Sequence, residues 1–316
     1  MKFFSVVVSV TMCWCAAPAV TPYALEPLAA RNSDLVLMVD LPALCSHPQV
    51  RRAFETHSAP DGNSKWKKLC DRVRNAGFQW EDFLGRYLFY ANTVTETGGM
   101  VLETVDGGAM RLFEVAQRNS SMRSNVQSSL IAGQKLLVVR GGYFRPDSAL
   151  LLEGKNLLMV MVGITPVPQT KSREVPPLLE GRAMGGNLVR MLVLPRGLFS
   201  VMEMQGNAYS QEFRDLEMFD LLLSDRAGRL ELRICADFSD SESAVTVSRL
   251  LEAWIAVGRT SFDGTEQKLF DGLELKSDGA RLMLARSFED ELLLQLIGEL
   301  PELLTGIVFR EDAEVE

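Results

Sequence analysis

The residues of this chain that could do chemistry are few. There are 2 histidines, His47 and His57, and 5 cysteines. A thiol nucleophile needs a histidine within hydrogen-bond reach, and Cys45 stands two positions before His47. That segment has a plainer reading, because Ser46-His47-Pro48-Gln49 is a helix start. Ser46 can cap, Pro48 fits the first turn and Gln49 can close a capping box. His57 lies ten positions further on, about 15 Å along a helix, too far from His47 to share a metal. No H-E-x-x-H, G-x-S-x-G or S-x-x-K set is present.

Carboxylates are plentiful, at 41 Asp plus Glu, so chance pairs are expected. Asp40 stands out because it ends an apolar run, where a glycosidase could use it with a second carboxylate. The plainer reading is that it faces water or bonds nearby amides. Asp237, Asp240 and Glu242 crowd a strand–helix junction, but their spacing misses the EF-hand loop and acids suit a helix N-terminus. The Gly-Gly pairs at Gly98, Gly107, Gly141 and Gly185 lack phosphate-loop spacing and read as turns. Asn119-Ser120-Ser121 fits a common glycosylation triplet. Met202 and Met204 on one short segment read as core filler. No catalytic, cofactor-binding or metal-binding residue is assigned, and no cofactor is expected.

The elements that would position such residues follow from periodicity. Asp34–Pro42 and Asn187–Pro195 form a weak repeat, each a β-rich run closed by Leu-Pro. After the first copy, helices are predicted from Ser46 and over Trp66, Leu69, Cys70 and Val73. A short helix is predicted near Trp80–Leu84. Strands Tyr87–Thr93 and Met100–Val105 follow, joined by a turn at Thr95–Gly99. A helix over Ala109–Gln117 and two hairpins over residues 126–162 complete the first half. After the second copy come a short helix over Leu198–Met204 and strand Met218–Leu223. The turn Asp225–Gly228 leads into strand Leu230–Phe238, whose Glu231, Arg233, Cys235 and Asp237 share a polar face. A long helix capped at Ser239–Glu242 carries Val245, Leu250, Leu251, Trp254 and Val257. A hairpin at Leu273–Arg286 and a last helix from Ser287–Asp290 end the half.

Strand, helix, two strands, helix, strand is the split βαβ order. The expected fold is therefore α+β. It comprises two tandem split-βαβ-like lobes, each an antiparallel sheet with helices on one face. The first lobe is placed at residues 28–164 and the second at 187–308. A Pro-rich linker (165–186) lies between them and an acidic tail (309–316) follows. Strands Leu136–Val139 and Leu157–Val162 are apolar at every position, as in strands covered on both sides. The other lobe is the simplest cover.

At the N-terminus, Lys2 precedes an apolar stretch ending in Ala16-Ala17-Pro18-Ala19, the small-residue pattern that signal peptidase requires. Residues 1–19 thus read as a signal peptide cleaved before Val20. Two alternatives stay open: an uncleaved anchor, and lipidation at Cys13 or Cys15. No later segment is long and apolar enough to span a membrane. The expected location is periplasmic or secreted. The net charge of -8 disfavours nucleic acid as a partner.

Once Cys13 and Cys15 leave with the signal, Cys45, Cys70 and Cys235 remain. Cys45 follows the first strand and Cys70 lies on the apolar face of the next helix, so the two are expected to bond, with Cys235 left out.

The run Ser33–Pro42, the segment Gly77–Gly85 and the Gly-Gly turns resemble uncharacterised exported two-lobed α+β proteins of bacterial envelopes, domains of unknown function. The resemblance is one of layout and implies secretion and a two-lobed fold. The functional expectation is a non-enzymatic cell-envelope protein that binds an envelope protein or assembles. A small-molecule or lipid carrier with a cleft between the lobes is the alternative, and a carboxylate-based hydrolase comes third.

Overall fold

In the computed structural model, the described residues are 29, 32–57, 71, 74–75, 77–92, 94–95, 97–120, 126–131, 134–139, 148–162, 177–179, 182, 184–195 and 213–298. The signal peptide, Cys13, Cys15, Cys70, the short helix at Leu198–Met204 and the acidic tail lie outside them.

Runs rich in Leu, Val and aromatic residues form the strands. In the first half these are β1 (Leu35–Asp40), β2 (Gly85–Asn92), β3 (Thr97–Thr104), β4 (Val126–Ile131), β5 (Gln134–Val139), β6 (Ser148–Glu153) and β7 (Leu157–Val162). The second half has β8 (Val189–Val193), β9 (Leu216–Arg226), β10 (Arg229–Phe238), β11 (Glu274–Asp278) and β12 (Arg281–Ser287). The helices are α1 (Leu41–Ser46), α2 (Pro48–His57), α3 (Gly108–Ser120), α4 (Ser241–Ser261) and α5 (Gly264–Asp271), with α6 at 290–298. A 3-10 turn spans Trp80–Phe83 and another Pro177–Leu179.

All 12 strands belong to one sheet in the order β11-β12-β10-β9-β8-β1-β2-β3-β7-β6-β5-β4, and neighbours are antiparallel. The fold is α+β. Each half repeats one strand order: first, second, third, last, last but one. In the first half this is β1-β2-β3-β7-β6, and in the second β8-β9-β10-β12-β11. The β4–β5 hairpin extends the first half alone. The two copies of the sequence repeat meet at the centre, where Leu35 faces Val193, Leu37 faces Met191 and Val39 faces Val189. Flanking bonds close the seam symmetrically: the Asp40 N–H donates to the Leu188 carbonyl at 2.8 Å and the Leu194 N–H to the Asp34 carbonyl at 2.7 Å.

The helices lie on one face. Leu41, Leu44, Cys45, Val50, Phe54, Leu112 and Phe113 bury against Tyr87, Phe89, Leu102 and Leu158 in the largest core cluster. Leu230 of β10 and Leu293 and Ile297 of α6 join the same cluster, so the core crosses the seam. Further along that face, Ala244 and Val247 of α4 pack with Phe238 and Leu282.

The opposite face is covered differently from expectation. The halves sit edge to edge in one sheet, so neither can cover the other. Over the central strands the cover is Ala29 with Leu178 and Leu179, packed on Val36, Met38, Leu88, Val101 and Leu192. Leu178 and Leu179 fall inside the stretch expected to be a linker, and both are buried. Prolines mark irregular backbone but say nothing about whether it docks.

Two local expectations also change. The turn between β2 and β3 is shorter than its composition suggested, and Gly98 and Gly99 lie within β3, opposite Ala91 and Tyr90. A Cβ on Gly99 would stand 2.4 Å from the Tyr90 hydroxyl oxygen and 2.8 Å from the Val160 carbonyl oxygen. Here glycine serves close approach rather than a turn. The helix α5 was not foreseen. Its 8 residues are too few for a clear apolar period.

Candidate functional site

Asp40 has a structural task. It ends β1 and caps α1, its Oδ1 accepting the Ala43 N–H at 2.9 Å. Asp240 does the same for α4, accepting the Ser243 N–H at 2.8 Å. That backbone bond is the main reason its carboxyl lies below the ordinary value, and the Ser243 hydroxyl adds to it. The Asp237 carboxylate is held by Arg281, at 2.5 Å and 3.0 Å. No group of three metal-ligating side chains occurs among the described residues.

The polar face of β10 forms as expected and continues across its neighbours. Arg190 of β8 pairs with Asp220 of β9 at 2.6 Å, both side chains nearly buried. Glu231 is held by Arg233 at 2.6 Å and Arg226 at 3.0 Å. Burial pushes the Glu231 carboxyl up, but the hydrogen bonds from Arg233 and Arg226 outweigh it and leave it below its ordinary value. Cys235 is half-buried in this network, opposite Asp220 and Met283. Burial raises its thiol, which disfavours the reactive thiolate.

Cys45, on α1, is buried in the main core. Its expected partner, Cys70, lies outside the described residues, so the bridge stays an expectation. His47 is buried at the α1–α2 junction, with Nε2 3.7 Å from Asp225 Oδ2 at the end of β9. That is longer than a hydrogen bond, and no other partner of either ring nitrogen is found among the described residues. His57 ends α2, far from His47 along the helix, and Asn119 lies in the last turn of α3.

Two features remain that a ligand or partner could use. The first is a cleft of about 340 Å³ between the halves, lined by Gln49, Arg52, Ala227, Gly228, Arg229, Glu289 and Asp290. Its walls are polar and much of their hydrogen bonding is committed. Gln49 reaches from α2 to the second half: its Oε1 accepts the Leu230 N–H at 2.7 Å, and its Nε2 donates to the Phe288 carbonyl at 3.1 Å and to Asp290 at 2.6 Å. Arg52 pairs with Asp290 at 2.9 Å. Among the acids of this wall, Asp290 is therefore engaged in joining the halves.

The second is the outer flank of α4. The buried side of this 21-residue helix carries Ala244, Val247, Ser248, Ile255 and Gly258. Leu250, Trp254 and Val257, at i, i+4 and i+7, form a neighbouring stripe. Trp254 is 42% and Val257 57% exposed. Phe262, also exposed, is accounted for by stacking on Phe270 at 5.5 Å. No described helix is long and apolar enough to cross a membrane.

Comparison with known proteins adds little to this geometry. No family profile matches the chain and no curated protein matches it. Among solved structures, crystal form I of TP0453 matches at 13% identity and TM-score 0.47, covering 89% of this chain and 98% of that one. Crystal form III of TP0453 matches at 12% identity and TM-score 0.47, covering 89% and 99%. At these values the likeness says nothing of what the chain binds or does.

Proposed function

We propose that the chain is an exported, non-enzymatic cell-envelope protein that binds another protein through the outer flank of α4. The observation that carries this reading is the exposed pair Trp254 and Val257, extended by the half-buried Leu250, on a long, well-capped helix. Large apolar side chains held in water on a rigid element are the usual anchors of a protein interface. A dry apolar pocket between the halves would have favoured a carrier of lipid or other apolar cargo. The cleft found there is walled by arginines, acids and a glutamine instead, so a carrier role would suit only a small polar ligand.

The test places a photo-crosslinking residue at Val257 in the native cell and, as a control, at Lys155 in the exposed β6–β7 turn. A discrete crosslinked protein from position 257, absent from 155 and lost with Trp254→Glu, is the expected result. Equal crosslinking from both positions would sink the interface. The export half of the proposal is checked separately, because N-terminal sequencing of the exported protein should return Val20 as the first residue.

A further inference from the structure

The residue that the interface proposal leaves unexplained is Arg286 of β12. It is only 7% exposed, on the helix-covered face of the sheet opposite Leu232. Its Nε has no hydrogen-bond partner, and no ion pair reaches its guanidinium among the described residues. An arginine keeps its charge in a protein interior. A buried charge is costly unless it is paired and its hydrogen bonds are met. By contrast, the buried Asp82 is held by Arg111 at 2.5 Å.

The guanidinium also has a fitted seat. It lies directly on Gly272, which closes α5, and a Cβ there would fall 0.8 Å from Nη1 and 2.1 Å from Cζ. Among the described residues no ion pair joins it to the exposed Asp271 beside its seat, and other neighbouring groups are engaged elsewhere. Arg259 donates to the Phe270 and Leu273 carbonyls at 3.2 Å and 3.1 Å. The α6 acid facing α5, Glu291, is bound by Lys268 at 2.7 Å. A seated guanidinium with a buried, unpartnered Nε and, among the described residues, no ion pair presents a planar fork that suits an oxyanion.

We infer that Arg286, on its Gly272 seat at the end of α5, receives a small oxyanion, a carboxylate or phosphate group of a ligand. This site does not depend on the α4 interface, although Arg259 of α4 borders it.

The test follows thermal unfolding of the whole protein while phosphate or acetate is titrated against chloride at fixed ionic strength. The wild type should show a saturable rise in midpoint with at least one of the two oxyanions. Arg286→Met should bind that anion at least about tenfold more weakly. Gly272→Ala keeps the charge but displaces the guanidinium, and should weaken binding in the same direction. It also decides the matter should the Arg286 variant fail to fold. No rise with either oxyanion beyond chloride, or an undiminished rise in Gly272→Ala, overturns the inference.

Discussion

Asp40 shows how one carboxylate can be legible by position yet ambiguous in role. Its place at the end of an apolar run is plain from sequence. That it serves the Ala43 N–H depends on the chain turning straight into a helix at Leu41. Asp40→Ala should cost about 1 kcal/mol, the usual worth of an N-cap, and Asp40→Asn much less; urea unfolding of the two variants measures the difference. Gly99 was misread for the converse reason. A glycine pair looks the same in a turn and in a strand that another side chain crosses, and only the Tyr90 ring distinguishes them. Gly99→Ala should destabilise by about 1–3 kcal/mol through overpacking, read by the same denaturation. An exposed-turn change such as Gly154→Ala meets no neighbouring atom, though its positive φ of 65° adds strain of its own. The cluster at Gln49 was half legible: the capping-box reading placed it at a helix start, but its bonds span more than 180 positions and leave no local trace.

At the scale of elements, strands were the most readable because alternation survives tertiary context. The polar face of β10, from Glu231 to Asp237, was read from spacing alone, and its ion pairs run both within the strand and across to its neighbours. The neighbouring pair Arg190 and Asp220 is the one in which both side chains are nearly buried. Asp220→Ala strands a buried guanidinium and should cost about 3 kcal/mol, whereas the double change Arg190→Met, Asp220→Leu should lie much closer to wild type. Helices were legible where a cap preceded a long period, as in α4, and illegible where the element was as short as α5. The α4 cap also makes a pH prediction. The Asp240 carboxyl is lowered in the folded state by the Ser243 backbone bond. Its contribution is therefore complete above the ordinary carboxylate range near about 4, and fades as pH falls through the lowered value. The gap in unfolding midpoint between wild type and Asp240→Ala should be widest at neutral pH and shrink in strong acid. A gap constant across that range would mean the cap does not act through its charge.

At the scale of the whole molecule, the repeat could be read and its consequence could not. Two β-rich runs closed by Leu-Pro announce two similar halves. Nothing in them says that the runs will pair with each other, because a strand edge that docks and a strand edge that is covered have the same composition. Pairing at β1–β8 makes one sheet of two halves, and the core cluster of Leu41, Tyr87, Leu230 and Leu293 spans the join. The halves should therefore unfold together. Gln49 is the place to test this, since it ties α2 to the Leu230 N–H, the Phe288 carbonyl and Asp290 across the seam. Removing it in Gln49→Ala leaves the Leu230 N–H buried and unpaired, at about 1–3 kcal/mol. If the molecule is one cooperative unit, the loss lowers a single transition that near- and far-ultraviolet circular dichroism report at the same midpoint. If the halves are independent, it splits the transition in two, with only the weaker half moving. The seam argues for the first outcome, because a half that unfolded alone would leave the β1 or β8 edge of the other unpaired along its length.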